Sequence, residues 1–182
     1  MAVDYLVTET MLKQAREIAE ARLHDSSRRL SPDRPTARNL QSQIRGALGE
    51  IVAREWLSRY VLHIESGFLE DHVSQTDLSI GNLGVEVMTA KVNDRKQTGF
   101  CVPPNKLAAA RSRRAWGYLF VGSDNLVPPQ MMTIQFAVRL EDVDSAPARH
   151  TYVNNPSFRV LNFVVEEDRL MTPEEFLRIV TK

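Results

Sequence analysis

Asp77 and Glu86 flank the turn in Thr76-Asp77-Leu78-Ser79-Ile80-Gly81-Asn82-Leu83-Gly84-Val85-Glu86-Val87-Met88-Thr89-Ala90-Lys91. The runs on either side alternate apolar and polar residues, the period of a strand. With residues 81–84 as the connection, Ile80 falls opposite Val85, Ser79 opposite Glu86 and Asp77 opposite Met88. Leu78, Ile80, Val85 and Val87 then share an apolar face, while Asp77, Ser79, Glu86 and Met88 share the other. Paired strands run about 5 Å apart, so diagonal carboxylates reach a common ion. Such a pair suits Mg²⁺ or Mn²⁺, completed by waters, a backbone carbonyl near Val87 and phosphate oxygens of a substrate. Two separate solvent-facing acids are the bland alternative.

Glu50 shifts that balance when the elements around the hairpin are laid out. A helix over residues 39–60 carries Ile44, Ala47, Leu48, Ile51, Val52 and Leu57 as its inner stripe, and Glu50 lies at the edge of that stripe. Gly46 and Gly49 lower its helix propensity and suggest close approach to another element. An earlier helix over 8–24 uses Leu12, Ala15, Ile18, Ala19 and Leu23, and residues 25–35 read as a polar, proline-punctuated loop. Val61–Ile64, Asp77–Ile80, Val85–Ala90, Trp116–Val121, Met132–Val138 and Val160–Val165 read as strands. Residues 103–115 include a short helix entered through Pro103 and Pro104, and 141–157 form a polar connection. Thr172-Pro173-Glu174-Glu175 marks a capped terminal helix, with Thr172 as N-cap and Phe176, Leu177 and Val180 facing the body. Early and late helices around strands predict a layered α/β fold with a mixed central β-sheet.

Gly46-Ala47-Leu48-Gly49-Glu50 on the early helix, Asp77 before the turn and Glu86-Val87-Met88-Thr89-Ala90-Lys91 on the following strand together resemble the PD-(D/E)XK nuclease superfamily, the restriction-endonuclease-like family. The resemblance covers roughly residues 40–165. It implies a restriction-endonuclease-like layered fold and Mg²⁺-dependent hydrolysis of DNA phosphodiester bonds. It also implies a double-stranded substrate, a homodimer that pairs two active sites, and a restriction or defence role. Asp77, Glu86 and Glu50 become the metal and catalytic carboxylates. The family's active-site lysine is expected where this chain has Met88, and a thioether neither carries charge nor donates a strong hydrogen bond. Catalysis is then lost, or Met88 substitutes a lysine in an otherwise active protein, or another residue takes the role. Lys91 is the nearest candidate, and strict alternation points it away unless the strand bulges.

A formal net charge of zero conceals segregation. Residues 65–86 carry Glu65, Glu70, Asp71, Asp77 and Glu86 without a Lys or Arg, whereas 91–114 carry Lys91, Arg95, Lys96, Lys106, Arg111, Arg113 and Arg114 against Asp94 alone. An acidic pocket beside a basic approach can bind a cation and a polyanion together. Asn105, Lys106, Arg111, Arg113 and Arg114 are the candidate DNA-phosphate contacts, extended by Arg28, Arg29, Arg34 and Arg38. His24, His63, His72 and His150 form no ligand pattern, and Ser79 lacks a partner base. Cys101 stands alone, which excludes an intramolecular disulfide.

A composition 43% hydrophobic and 25% charged is that of an ordinary globular chain, and no apolar run is long enough for a membrane span. The expectation is a cytoplasmic domain over 1–182: an N-terminal helix and basic loop (1–38), a catalytic core (39–165) and a capped helix (166–182). A catalytically silent nucleic-acid-binding domain and a protein-interaction domain are the competing functions.

Overall fold

Helix α2 (Thr36–Leu57) buries all six residues of its expected stripe, and helix α1 (Glu9–Ser27) packs beside it through Met11, Ala15, Ile18 and Ala19. In the structure, a computed structural model, residues 1–27, 36–67, 76–91, 100–124, 126–153 and 155–182 are described, without the side chains of 24–27, 36–39, 91, 151–153 and 155–160. Residues 28–35, most of the expected polar loop, lie outside that description.

Six strands form the main sheet in the order β1 (Val3–Leu6), β7 (Met131–Arg139), β6 (Gly117–Ser123), β4 (Leu83–Lys91), β3 (Leu78–Ile80) and β2 (Glu65–Ser66). Only β4 and β6 run parallel among these pairs, so the sheet is mixed. One face carries Leu78, Val85, Leu119, Val121, Met132 and Ile134 against α1, α2 and α5 (Pro173–Val180). The opposite face carries Tyr118, Phe120 and Val138. It packs against α3 (Pro104–Ser112), α4 (Leu140–Asp144) and a small antiparallel sheet of β5 (Phe100–Val102), β9 (Asn155–Val165) and β8 (Ala148–Val153). The chain is an α/β fold whose mixed central sheet has helices on both faces. No helix among the described residues is long and apolar enough to cross a membrane.

Helix α5 begins as its sequence demands. Thr172 accepts from the Glu175 amide, the Glu175 carboxylate accepts from the Thr172 amide, and Phe176 is fully buried against Trp56.

Three expectations need correction. Val61–Ile64 is not a strand: the Tyr60 and Val61 amides still donate to the Leu57 carbonyl as α2 unwinds, and β2 starts only at Glu65. The polar connection over 141–157 contains α4, β8 and the start of β9. Val143 anchors α4 to the core, while β8 is an edge strand and tolerates polar residues. The hairpin turn is Gly81-Asn82, not 81–84. Gly81 takes φ 57°, a conformation easy for glycine, and Ile80 therefore pairs with Leu83. This two-residue shift keeps every side chain on its expected face, but one step beyond the Leu78–Val85 pair it sets Asp77 across from Glu86 instead of Met88.

Candidate functional site

Asp77 lies half-buried at the mouth of β3, where its Oδ2 accepts a 2.8 Å hydrogen bond from the Val87 amide of β4. The carboxylate thus fastens the hairpin on which Glu86 sits. Glu86 is 6% exposed, and both its oxygens accept from Arg113 Nη1, at 3.0 and 3.1 Å. Arg113 is the C-cap residue of α3, so the helix delivers its guanidinium onto the strand.

Glu50 is equally buried on α2. Arg22 of α1 grips it with a two-pronged fork, Nη1 to Oε1 at 2.8 Å and Nη2 to Oε2 at 2.6 Å. Burial raises the Glu50 carboxyl to about 7; Arg22 pulls it down and the charge of Asp77 pushes it up. Burial likewise raises Glu86, with Asp77 adding to the rise and Arg113 and Lys106 opposing it. Asp77 is therefore the charge that both glutamates feel, and Lys106 is a cation common to both.

The α2–β4 contact that brings Glu50 here depends on Gly49. A Cβ at that position would overlap Thr89 Oγ1, a buried hydroxyl with no hydrogen-bond partner among the described residues. Gly46 faces open space, so only one of the two glycines serves a close approach. Gly49→Ala should displace α2 and lower stability by roughly 1–3 kcal/mol, read as a lower thermal midpoint. An unchanged midpoint would mean that Thr89 simply turns aside.

Met88 lies on the Glu86 face, in register with Phe120, and its half-buried side chain packs against the second apolar cluster. It serves here as a hydrophobic contact. Lys91 ends β4; its side chain is outside the described residues, and the β4–β6 pairing runs from Val85 to Lys91 without the bulge that its redirection requires. Asn105 and Lys106 are exposed in the first turn of α3, Arg111 pairs with Asp144, and Arg114 is exposed just past the helix. Arg28, Arg29 and Arg34 lie outside the described residues, as do the side chain of Arg38 and the residues His72, Arg95 and Lys96.

Two residues were not anticipated. Arg22 follows Ala15, Ile18 and Ala19 on the buried stripe of α1, and a charge on an apolar stripe requires a buried partner. That periodicity was the available signal. Tyr118 is Glu86's register partner on β6, and its hydroxyl donates to the Lys106 carbonyl at 3.1 Å. It ties the first turn of α3 to the strand beside Glu86. A tyrosine in an otherwise apolar strand calls for such an acceptor.

Among the described residues, no three acidic, histidine or cysteine side chains form a ready metal cluster. Carboxylate oxygens are the ligand type a hard divalent cation takes, but here Glu50 and Glu86 are each held by an arginine. Binding would exchange arginine for cation at Glu86 or Glu50. Compared with protein-family models, curated proteins and solved structures, the chain matches none.

Proposed function

We propose that the chain is a divalent-metal-dependent DNA endonuclease scaffold of the restriction-endonuclease-like kind, cytoplasmic and linked to restriction or defence. The observation that carries this reading is the hairpin register that sets Asp77 across from Glu86, with Glu50 buried on the helix that meets β4 at Thr89. Asp77 and Glu86 would hold Mg²⁺ or Mn²⁺, with Glu50 supporting a further ligand or water. When bound, the metal supplies charge neutralisation at the scissile phosphate and acidity to an attacking water. The protein's own contribution is positional. Asp77 fixes the hairpin, Tyr118 fixes the start of α3, and Lys106 and Arg113 present positive charge beside the acids. A homodimer would pair two such sites across a duplex.

Met88 favours a second reading, a nucleic-acid-binding domain that no longer cuts, because its side chain belongs to an apolar cluster. A matched assay separates the two. In Mg²⁺ or Mn²⁺, Met88→Lys should cleave plasmid and linear DNA at least about 100-fold faster than the parent, the scale of one lost electrostatic contact to a transition state. Adding Asp77→Ala should abolish that gain. Equal cleavage by the parent and Met88→Lys would move the catalytic cation elsewhere. Absence of cleavage from both, with no Asp77-dependent Mn²⁺ binding, would end the nuclease reading.

A further inference from the structure

A cleft of about 310 Å³ opens where the β3–β4 turn meets the end of α3. Its lining includes Thr76, Ser79, Asn82, Gly84, Arg113 and Arg114, and among the described residues no carboxylate. Gly84 keeps the cleft wall thin: a Cβ there would come within 2.7 Å of the Thr76 side chain. Thr76 is buried and its hydroxyl donates to the Leu78 carbonyl at 3.0 Å; Ser79 Oγ lies 3.5 Å from it. Ser79, Asn82 and the arginines thus present hydrogen-bonding groups around one polar space.

Arg114 is the telling residue. Its φ is 55°, in the left-handed region that costs an L side chain roughly 1 kcal/mol and glycine almost nothing. It is exposed, and among the described residues it has no ion-pair partner. The chain keeps a strained cation at the rim of a cleft where glycine would fit more easily. The neighbouring Arg113 lines the same cleft while bonded to Glu86, so an anion seated there would lie beside the carboxylate site. Two guanidiniums with adjacent hydroxyl and amide groups match the several acceptor oxygens of a phosphate.

We infer that this cleft binds a phosphate group of a nucleic-acid strand, gripped by Arg114 and Arg113 and oriented by Ser79 and Asn82. The assignment of a nucleic acid as the phosphate's source rests on the nuclease reading; the anion site itself does not.

The test is binding of a labelled 16-base-pair duplex in EDTA, over a series of salt concentrations, with 5′-hydroxyl and 5′-phosphate ends compared. Arg114→Gly removes the cation and relieves the backbone, so its thermal midpoint should not fall. Its affinity should drop about 10-fold, and its salt slope should shrink by about one, while Arg114→Lys keeps most of both. An equal loss for both duplexes identifies a backbone phosphate; a loss confined to the 5′-phosphate duplex identifies a terminal one, and either supports the site. Unchanged affinity and slope in Arg114→Gly would overturn it, as would capture of poly-glutamate by a protein that ignores the duplex. Because no metal is present, the two proposals fail separately. Arg114-dependent binding without cleavage by Met88→Lys sinks only the nuclease reading, and cleavage with Arg114-independent binding sinks only the cleft.

Discussion

Arg22→Ala should destabilise the metal-free protein by roughly 3 kcal/mol at pH 8.5 and by less than about 1 kcal/mol at pH 5.5. For a chain of this length that corresponds to a fall in thermal midpoint of roughly 6–12 °C at the higher pH. The reason is the burial of Glu50 beneath the Arg22 fork, with side-chain exposures of 8% and 16%. Removing the arginine leaves a buried carboxylate that Asp77 repels, with Lys106 as the cation still opposing that repulsion.

The pH dependence follows from the direction of the shift. The folded Glu50 carboxyl sits at about 7, above its ordinary 4.5, so the folded state holds a proton that the unfolded state releases. Stability linked to this group therefore declines as pH rises from about 4.5 to about 7 and then levels off. Without Arg22 the carboxyl moves higher still, and the decline continues past pH 7. Parent and variant then diverge only above that value. Paired melting curves in EDTA at the two pH values are decisive: an equal deficit at both would show that Arg22 acts through packing alone.

Gly117→Ala should be the more damaging change at low pH. A Cβ on Gly117 would overlap the Val138 carbonyl oxygen and lie 2.9 Å from Arg139 Cα. These are backbone atoms of β7, and Gly117 also pairs with Val85 of β4, so neither neighbour can turn away. A loss of about 3 kcal/mol or more is expected, with β6 displaced just where Tyr118 adjoins Glu86. Gly46→Ala is the contrasting case. It meets open space within a helix and should stabilise by about 0.5–1 kcal/mol. Denaturant midpoints shifting in opposite directions would confirm the contrast; matching shifts would refute it.

Much of the layered α/β architecture was legible because periodicity survives tertiary context. The α2 stripe, the alternating faces of β3 and β4, and the Thr172 cap each follow from local chemistry. Register was harder to read. Gly81-Asn82-Leu83-Gly84 permits more than one turn length, and only Gly81 needs a positive φ, so the turn closed two residues earlier. Alternation hid that slip, because an even shift leaves the faces intact while changing which residue stands opposite Asp77.

The counter-ions were illegible for a different reason. Arg22 and Arg113 reach their glutamates across 28 and 27 residues, and no local pattern specifies those meetings. Short strands such as β1 and β5 escaped notice because four and three residues carry too little alternation to stand out.

Parallel strands cannot be joined by a tight turn, so the chain leaving β4 must travel back before it can enter β6, and α3 lies on that return path. Closing a long connection costs more chain entropy than closing the Gly81-Asn82 turn. The contact between Asp77 and Glu86 is therefore the cheaper one to close, across the hairpin, while Arg113 reaches Glu86 only across the longer connection. Across the hairpin the two acids stand as like charges, and α3 brings the counter-charge to Glu86 through Arg113. Changes in the connection between β4 and β6 would therefore bear on the counter-charge of Glu86, leaving the pairing of the acids itself to the hairpin.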